Sequence, residues 1–582
     1  MRRTVRWLPP DEPPREVKDL PVRLGVTAPA ARVLWHRGYR DAQAVRRYLR
    51  PELSDLHDPG LMTDMKRATN RLVEAVRGRE KILLYGDYDV DGSTAVVILK
   101  KAIELAGGSA AFHVPDRLSE GYGMRPAVIE QAAAAGVSLI ISVDTGIRAA
   151  EAVARAAELG IDVVITDHHL PEEVLPPAHA VLDPNRRDCR YPEKNLCGAG
   201  VTFKLIQSML GALGWPAERV RRVSESCLKM VSIATVADVV PLVGENRVIV
   251  RHGLDGLRDV RNVGLRALLE AAGISRGQRP SAGQVAFRVA PRINAAGRMA
   301  QAADVVELFL TADPARAREL AGRLHVLNRE RQEAENAIVA DILRQCELRP
   351  VRDDQAALVF DGEGWHRGVV GIVASRLVER FHRPVFVLSV DPEAGEAQGS
   401  ARSIAGFHLL EALESMSDLF TRFGGHRQAA GLALPRQAID DFRRRISAYA
   451  AEHLGADALR PVIPIDARVT FSELDDRSAA DLLALEPFGV GNPAPLLVAE
   501  DVTLDNVPIP FADKHLRIPL RQGGRLFWMK AWNGNGQWPE LKAGTRLDVV
   551  FSVEEDAYSA ARGYPGWSLT LKDVRPVSVR GN

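Results

Sequence analysis

No run of apolar residues in this chain approaches the ~18 needed to cross a bilayer. The opening stretch, MRRTVRWLPPDEPPREVKDL, is basic but is not followed by the apolar segment of a signal peptide. A cytoplasmic protein with no membrane partner is therefore expected. Cysteine is scarce: Cys189, Cys197, Cys227 and Cys346 are the four in 582 residues, and no two form a CxxC pair. Neither a disulfide framework nor a structural zinc site fits that spacing, so free thiols are the default. Net charge is almost absent as well, at +1 from 76 basic and 75 acidic side chains. Such a balance neither predicts nor excludes nucleic-acid binding, because one groove can be basic on a neutral molecule. No repeat or low-complexity segment stands out.

What is present is an ordinary globular composition, 46% hydrophobic and 26% charged, in a chain long enough for three or four domains. From about residue 80 to 185, the runs KILLYG, AAFHVPD, LIISVD, DVVITD and HAVLDP are continuously apolar, as in strands buried on both faces. Between them, STAVVILKKAIELAGG, RPAVIEQAAAAG and IRAAEAVARAAELG have helical periodicity and end in glycine. The alternation predicts an α/β fold with a doubly wound, mostly parallel sheet. Residues 200–310 read as mainly helical. Residues 313–348 carry a near-heptad stripe of Leu320, Leu324, Leu327, Ala334, Ile338 and Ile342. A helix of that length spans ~50 Å and reads as a strut between two domains, or alternatively as a core helix of one. A second α/β unit begins near residue 350. After residue 460 short strand-like runs alternate with Gly, Pro and Asp, which predicts a small β-barrel of the OB type. The boundaries expected are 1–60, 61–312, 313–348, 349–456 and 457–582.

The stretch YGDYDVDG places Asp87, Asp89 and Asp91 on alternate positions directly after an apolar strand. Partly desolvated carboxylates ~4–6 Å apart repel by several kcal/mol, so solvent, basic side chains or a bound cation must offset them. An Asp-rich turn in water would explain one acidic tip. Two further strands, however, end in Asp144 and in Asp167, His168 and His169. In an open α/β sheet these strand ends converge on one edge. Mixed carboxylate and imidazole ligands suit Mn²⁺ or a similar divalent ion, and the cluster is large enough for two. Asp238, at the end of an apolar helical run, would oppose its helix dipole unless a cation compensated.

YGDYDVDG, VDTG, TDHH and ATVADVVPL are similar to the four motifs of the DHH phosphoesterases. With PDRLSEGYG, APRINAAGRM, GSARSIAGFHL, FGGHRQAAG and LEPFGVGNPAP, the chain from about residue 60 to its end resembles the RecJ-type exonucleases of that superfamily. The resemblance implies a DHH catalytic domain joined by the long helix to a DHH-associated substrate-binding domain, then an OB-fold. It implies a monomeric, Mn²⁺- or Mg²⁺-dependent enzyme that degrades single-stranded DNA in the 5′ to 3′ direction to mononucleotides, in DNA repair and recombination. Single-strand-binding protein and a RecQ-type helicase are the implied protein partners. The implied metal ligands are Asp89, Asp91, Asp144, His168 and Asp238, with Asp87 and His169 close by. Asp87, Asp89, Asp91, His168 and His169 form the expected catalytic set. Tyr85 stands where related proteins often have His, and a protonated Tyr is a poor ligand. Asp87 is therefore expected to bind metal or to position a water.

Later motifs read as phosphate handling. PRINAAGRM offers Arg292 and Arg298; GSARS offers Ser400, Arg402 and Ser403; FGGHRQAAG offers His426 at a tight turn. Arg117 and Tyr122 follow the second strand and are expected to pair with phosphate or stack on a base. In the barrel, Phe527, Trp528, Trp532, Trp538 and Trp567 divide between core and a single-strand platform. Two rival functions stay open here. A small-substrate hydrolase, acting on pyrophosphate or short oligonucleotides, would need neither strut nor barrel. A non-catalytic binding module would be expected to have lost metal ligands, which this chain retains.

Overall fold

The computed structural model describes residues 5–10, 19–117, 120–121, 123–352, 354–455, 457–534 and 542–577. Contacts divide the chain into two compact units.

The larger unit comprises Asp58–Asp238 and His252–Pro461. Its first sheet has five strands, all parallel, in the order Ala110–His113, Ile82–Tyr85, Leu139–Val143, Asp162–Thr166, Ala180–Leu182. Ile82–Tyr85 and Leu139–Val143 are buried at every position, which explains why the sequence shows no alternation. On one face Leu83, Tyr85, Ile140 and Ile165 pack with Ile129 and Val153 from the helices Pro126–Ala134 and Ala150–Glu158. Helices Val90–Leu105 and Gly198–Ala212 pack on the sheet as well as on each other. The winding direction reverses between Ile82–Tyr85 and Leu139–Val143, the topological switch point where open α/β sheets form their crevice.

Helix Pro314–Leu348 is one continuous element of 35 residues, started by Asp313, whose carboxylate accepts from the Ala315 amide at 2.9 Å. Its first half buries Ala317, Leu320, Ala321 and Leu324 and packs on helices Val263–Ala271 and Ala290–Met299. Its second half contributes Ile338, Val339 and Ile342 to a core shared with Val369, Val373 and Val385. It is thus both strut and core helix, with Leu327 and Ala334 of the expected stripe only half-buried. The second sheet runs Arg422–Gly425, Ala429–Pro435, Glu396–Arg402, Val385–Asp391, Leu358–Glu363, and only the last pair is parallel.

The smaller unit is assembled from three separated stretches, Met1–His57, Val239–Arg251 and Val462–Asn582. Strands Leu497–Leu504, Arg546–Glu555, Trp567–Pro576, Arg525–Ala531 and His515–Gln522 pair in that order, and Thr503 and Leu504 close the barrel on Arg521 and Leu520. The boundaries read from the sequence run consecutively, but these contacts do not. Val33, Leu34, Val45 and Tyr48 share a core with Phe471, Val549 and Phe551. Strand Arg6–Leu8 pairs with Val462–Pro464. Buried Arg247 donates to the carbonyls of Tyr48, Leu485 and Glu486, so the middle stretch ties the other two together. Among the barrel aromatics, Trp528 and Trp532 are exposed, Phe527 and Trp567 pack against the core, and Trp538 lies outside the described residues. Among the described residues, no helix is long and apolar enough to cross a membrane.

Two glycines on neighbouring helices give opposite expectations. A Cβ on Gly264 would lie 1.7 Å from the Leu308 carbonyl oxygen, whereas one on exposed Gly322 would meet nothing within 4 Å. Gly264→Ala is expected to cost about 1–3 kcal/mol through overpacking. Gly322→Ala is expected to gain about 0.5–1 kcal/mol of helix stability. Urea unfolding of both variants reads the difference, and similar midpoints would contradict the packing described.

Candidate metal centre

The acidic residues meet at the C-terminal ends of three adjacent strands. Asp87 and Asp89 follow Ile82–Tyr85, Asp144 follows Leu139–Val143, and His168 and His169 follow Asp162–Thr166. Asp89 caps helix Val90–Leu105, accepting from the amides of Asp91 at 2.8 Å and Gly92 at 3.1 Å. Asp91, in the first turn, accepts from the amides of Gly198 at 2.6 Å and Ala199 at 2.7 Å at the start of helix Gly198–Ala212. The close approach depends on two glycines. A Cβ on Gly92 would fall 2.5 Å from the Asp87 nitrogen, and one on Gly198 would fall 2.6 Å from the Asp144 Cβ. Asp144 itself has φ +61°, a left-handed conformation that Asp tolerates better than most residues.

The structure brings together every metal-ligand residue expected from the sequence. Ligand atoms of Asp87, Asp89 and Asp144 lie within 4.8 Å of one another, as do those of Asp91, His168 and Asp238, and those of Asp144, His168 and His169. His168 Nε2 is 3.1 Å from Asp144 Oδ1 and 3.8 Å from both Asp91 Oδ2 and Asp238 Oδ2. Nevertheless His168 Nε2, Asp144 Oδ1 and Asp87 Oδ1 are buried without a hydrogen bond. Buried polar atoms are rarely orphaned, and three in these linked groups fit divalent cations with oxygen and imidazole ligands. Tyr85 is not part of the set. Its ring is buried in the sheet core, and its hydroxyl accepts from the Arg125 amide and donates to the Gly123 carbonyl, both at 3.2 Å.

Electrostatics support the same assignment. Burial, then the neighbouring charge of Asp89, holds the Asp87 carboxyl well above the usual carboxylate range. Burial and then Asp91 do the same to Asp144 and raise Asp89. Burial, then Asp91 and Asp89, pushes Asp238 up to about 9. Burial lowers His168, keeping it the neutral imidazole that a metal needs. Burial acts the same way on His169, but its 2.7 Å bond to Asp167 and the charges of Asp167, Asp238 and Asp91 together outweigh it and lift the ring to about 9.

A second cluster has the opposite sign. The Arg117 guanidinium lies 5.0 Å from the ring centre of Tyr88, which sits between Asp87 and Asp89 in the sequence. Arg298 donates to the Gly368 carbonyl at 3.0 Å, just before helix Val370–Phe381. Arg402 and Ser400 face Gly371 in the first turn of that helix, where a Cβ would come within 3.3 and 3.4 Å of their side chains. Burial, then Arg117 and Arg402, brings Arg298 down to about 10, still charged at neutral pH. Guanidiniums at a helix N-terminus form an anion site. Beside it a cleft of about 600 Å³ is lined by Arg367, Ser400, Arg422 and Phe423. Ser403 does not join the cluster. It is buried, and its hydroxyl bonds to the carbonyls of Ile404 and Phe407 in its own loop. His426 is an exposed turn residue whose pKa is lowered by burial, then by Arg148 and His169. Tyr122 lies outside the described residues.

Three family models match the chain: "DHH family, N-terminal domain" over residues 81–235, "DHHA1 domain" over 354–452 and "RecJ OB domain" over 465–565. The single-stranded-DNA-specific exonuclease RecJ of Bacillus subtilis is 37% identical over 94% of this chain and 68% of its own length. That of Dickeya dadantii is 38% identical over 89% of this chain and 92% of its own. The chain belongs to the RecJ family. The crystal structure of RecJ from Thermus thermophilus in complex with Mn²⁺ superposes with a TM-score of 0.83 at 31% identity, covering 99% of this chain and 80% of that one.

In this RecJ-family chain, sequence reasoning named Asp167 at its strand end without giving it a role, and passed over Asp183. Asp167, fully buried, accepts from the amides of His168, His169 and Ile147 and from the His169 ring. Asp183, also fully buried, accepts from the Asn185 amide, and Asn185 Nδ2 donates to the His168 carbonyl at 2.7 Å. Both stand in runs, DVVITD and HAVLDP, that end apolar strands. A carboxylate at a buried strand end was the available signal.

Removing one carboxylate should separate stability from metal binding. A carboxyl raised on folding costs stability above its unfolded pKa, about 3.9. In chelator at neutral pH, Asp144→Asn is therefore expected to melt above the parent, a gain that shrinks as the pH falls toward 4. Asn tolerates the left-handed backbone, so charge is the main change. With Mn²⁺ at about a hundred times its Kd the parent gains about 2.7 kcal/mol and overtakes the variant. A variant less stable than its parent in chelator would contradict the repulsion inferred here.

Proposed function

We propose that the chain hydrolyses single-stranded DNA from its 5′ end, releasing mononucleotides, with Mn²⁺ or Mg²⁺ as cofactor. The observation that carries this reading is the juxtaposition of three groups of ligands, linked through Asp144 and His168, with an arginine cluster around Tyr88 and helix Val370–Phe381. RecJ relatives at 35–38% identity over most of the chain, each named a single-stranded-DNA-specific exonuclease, support it. So do the RecJ structures with Mn²⁺ and Mg²⁺.

Asp87 and Asp89 would hold one ion, Asp91, His168 and Asp238 a second, with Asp144 between them. Bound divalent ions supply Lewis-acid activation of phosphate and water. Asp167 fixes the tautomer and direction of His169 and leaves its Nε2 to give a proton to the departing oxygen. Arg298, Arg402 and Ser400 would seat the terminal phosphate at the start of helix Val370–Phe381, and Arg117 would contact the next. A role in DNA repair and recombination, a monomeric working form, and single-strand-binding protein and a RecQ-type helicase as partners complete the reading. These last points are supported by the family resemblance.

Digestion of end-labelled single strands with Mn²⁺ tests the reaction. Asp89→Asn keeps a cap acceptor and removes the charge. It is expected to lose at least about a hundredfold in rate while keeping strand affinity; near-parental cleavage would sink the ligand assignment. Substituting Arg298 or Arg402 with Ala should cost about 1.5–3 kcal/mol in kcat/KM on 5′-phosphorylated strands. On 5′-hydroxyl strands the cost should be much smaller, and equal losses on both would reassign these arginines to general backbone contact.

A further inference from the structure

The helix that meets the Asp-rich loop begins with an irregular turn. Residues Val285–Val289 form a π-helical turn leading into helix Ala290–Met299, with the Ala290 amide bonded to the Val285 carbonyl five residues back. The cause is local. Pro291 has no N–H, so the Phe287 carbonyl lacks the donor four residues on, and a widened turn accommodates the loss. The turn leaves Val285 and Val289 fully buried and Phe287 82% exposed.

The surroundings of Phe287 are cationic. Arg288 is exposed. Arg292 donates to the Arg288 carbonyl and lies 3.1 Å from His325 Nδ1 on the long helix. Arg292 Nε is buried without a partner. Neither arginine pairs with a carboxylate among the described residues. Farther along, Asn294 accepts from the Val90 amide at 3.2 Å, and Gly297 packs so closely on Tyr88 that a Cβ would fall 2.6 Å from its carbonyl oxygen. The helix is therefore keyed to the catalytic loop. Phe287 stands seven residues before Asn294, about 10 Å along the axis.

We propose that Phe287 is a stacking platform for an unpaired base of the strand held in the catalytic groove, with Arg288 and Arg292 on the flanking phosphates. The inference rests on the exonuclease reading above and adds a subsite to it. An exposed aromatic ring beside guanidiniums that have no carboxylate partner among the described residues is the chemistry that takes a single strand, since every base offers a π-face and every linkage a negative charge. A base inside a duplex has both faces covered by its neighbours, so the platform also selects single strand over double.

Affinity in chelator, where no strand is cut, tests this apart from catalysis. The full chain is titrated against a labelled 5′-phosphorylated strand of about a dozen nucleotides, with an unlabelled dinucleotide as competitor. Phe287→Ala is expected to weaken the long strand about tenfold and to leave the dinucleotide unchanged, and Phe287→Trp should restore the parental value. One abasic position in the strand should weaken the parent by a similar factor and Phe287→Ala no further. Unchanged long-strand affinity, equal loss on both ligands, or an abasic penalty that persists in Phe287→Ala would overturn the platform. A parent that binds the strand but leaves it intact with Mn²⁺ would overturn the exonuclease reading and leave the platform standing.

Discussion

Mutual repulsion among buried carboxylates is the constraint around which the catalytic half of this molecule is arranged. Asp87, Asp91 and Asp144 are almost fully buried, and Asp89 and Asp238 stand beside them half-buried. Part of their charge is answered within the protein. The amides that cap helices Val90–Leu105 and Gly198–Ala212 point at Asp89 and Asp91, which is how a fold stabilises a carboxylate without a counter-ion. The remainder is left on Asp87 and Asp144. Glycine at 92 and 198 and the left-handed backbone at Asp144 follow from bringing these groups so close. A centre of this kind lowers the stability of the free protein for the sake of affinity toward an ion.

The nearly neutral total of +1 conceals two like-charge clusters side by side. The carboxylates surround the Asp-rich loop; Arg117, Arg298 and Arg402 form the second cluster, where burial and then Arg117 lower both Arg298 and Arg402. Among the described residues each cluster is only partly answered by the other: one suits a cation, the other an anion. A divalent ion bound to a nucleic-acid phosphate supplies both at once. Placing the pair at the switch point of the sheet lets short loops after separate strands reach one volume.

Much of this was legible in the sequence because its signals are local. Buried parallel strands read as unbroken apolar runs, and the acidic tips stand directly after them. Asp238 was visible as a charge of the wrong sign at a helix end. The roles of Tyr85 and Asp167 were not visible, because a hydroxyl bonded to Gly123 and Arg125, or a carboxylate clamped by four donors, depends on where other segments pass. Ser403 sat in a motif beside Ser400 and Arg402 but turns inward, since adjacent residues on a strand end face opposite ways. Least legible was the company kept by residues 1–57. Their helices are amphipathic in the ordinary manner, and nothing in such a pattern names a barrel strand hundreds of positions later as its cover.

That last arrangement has a consequence in time. Ala30, Val33, Leu34 and Tyr48 are made before Phe471, Val549 and Phe551, which complete their core and follow only after roughly 400 to 500 further residues. At about 5–20 residues per second, the first helices of a nascent chain wait on the order of half a minute with their apolar faces uncovered. The catalytic half, Asp58–Asp238 and His252–Pro461, can fold within that interval from its own contacts. The smaller unit has no such option, and it assembles only when the chain's distant segments finally become neighbours.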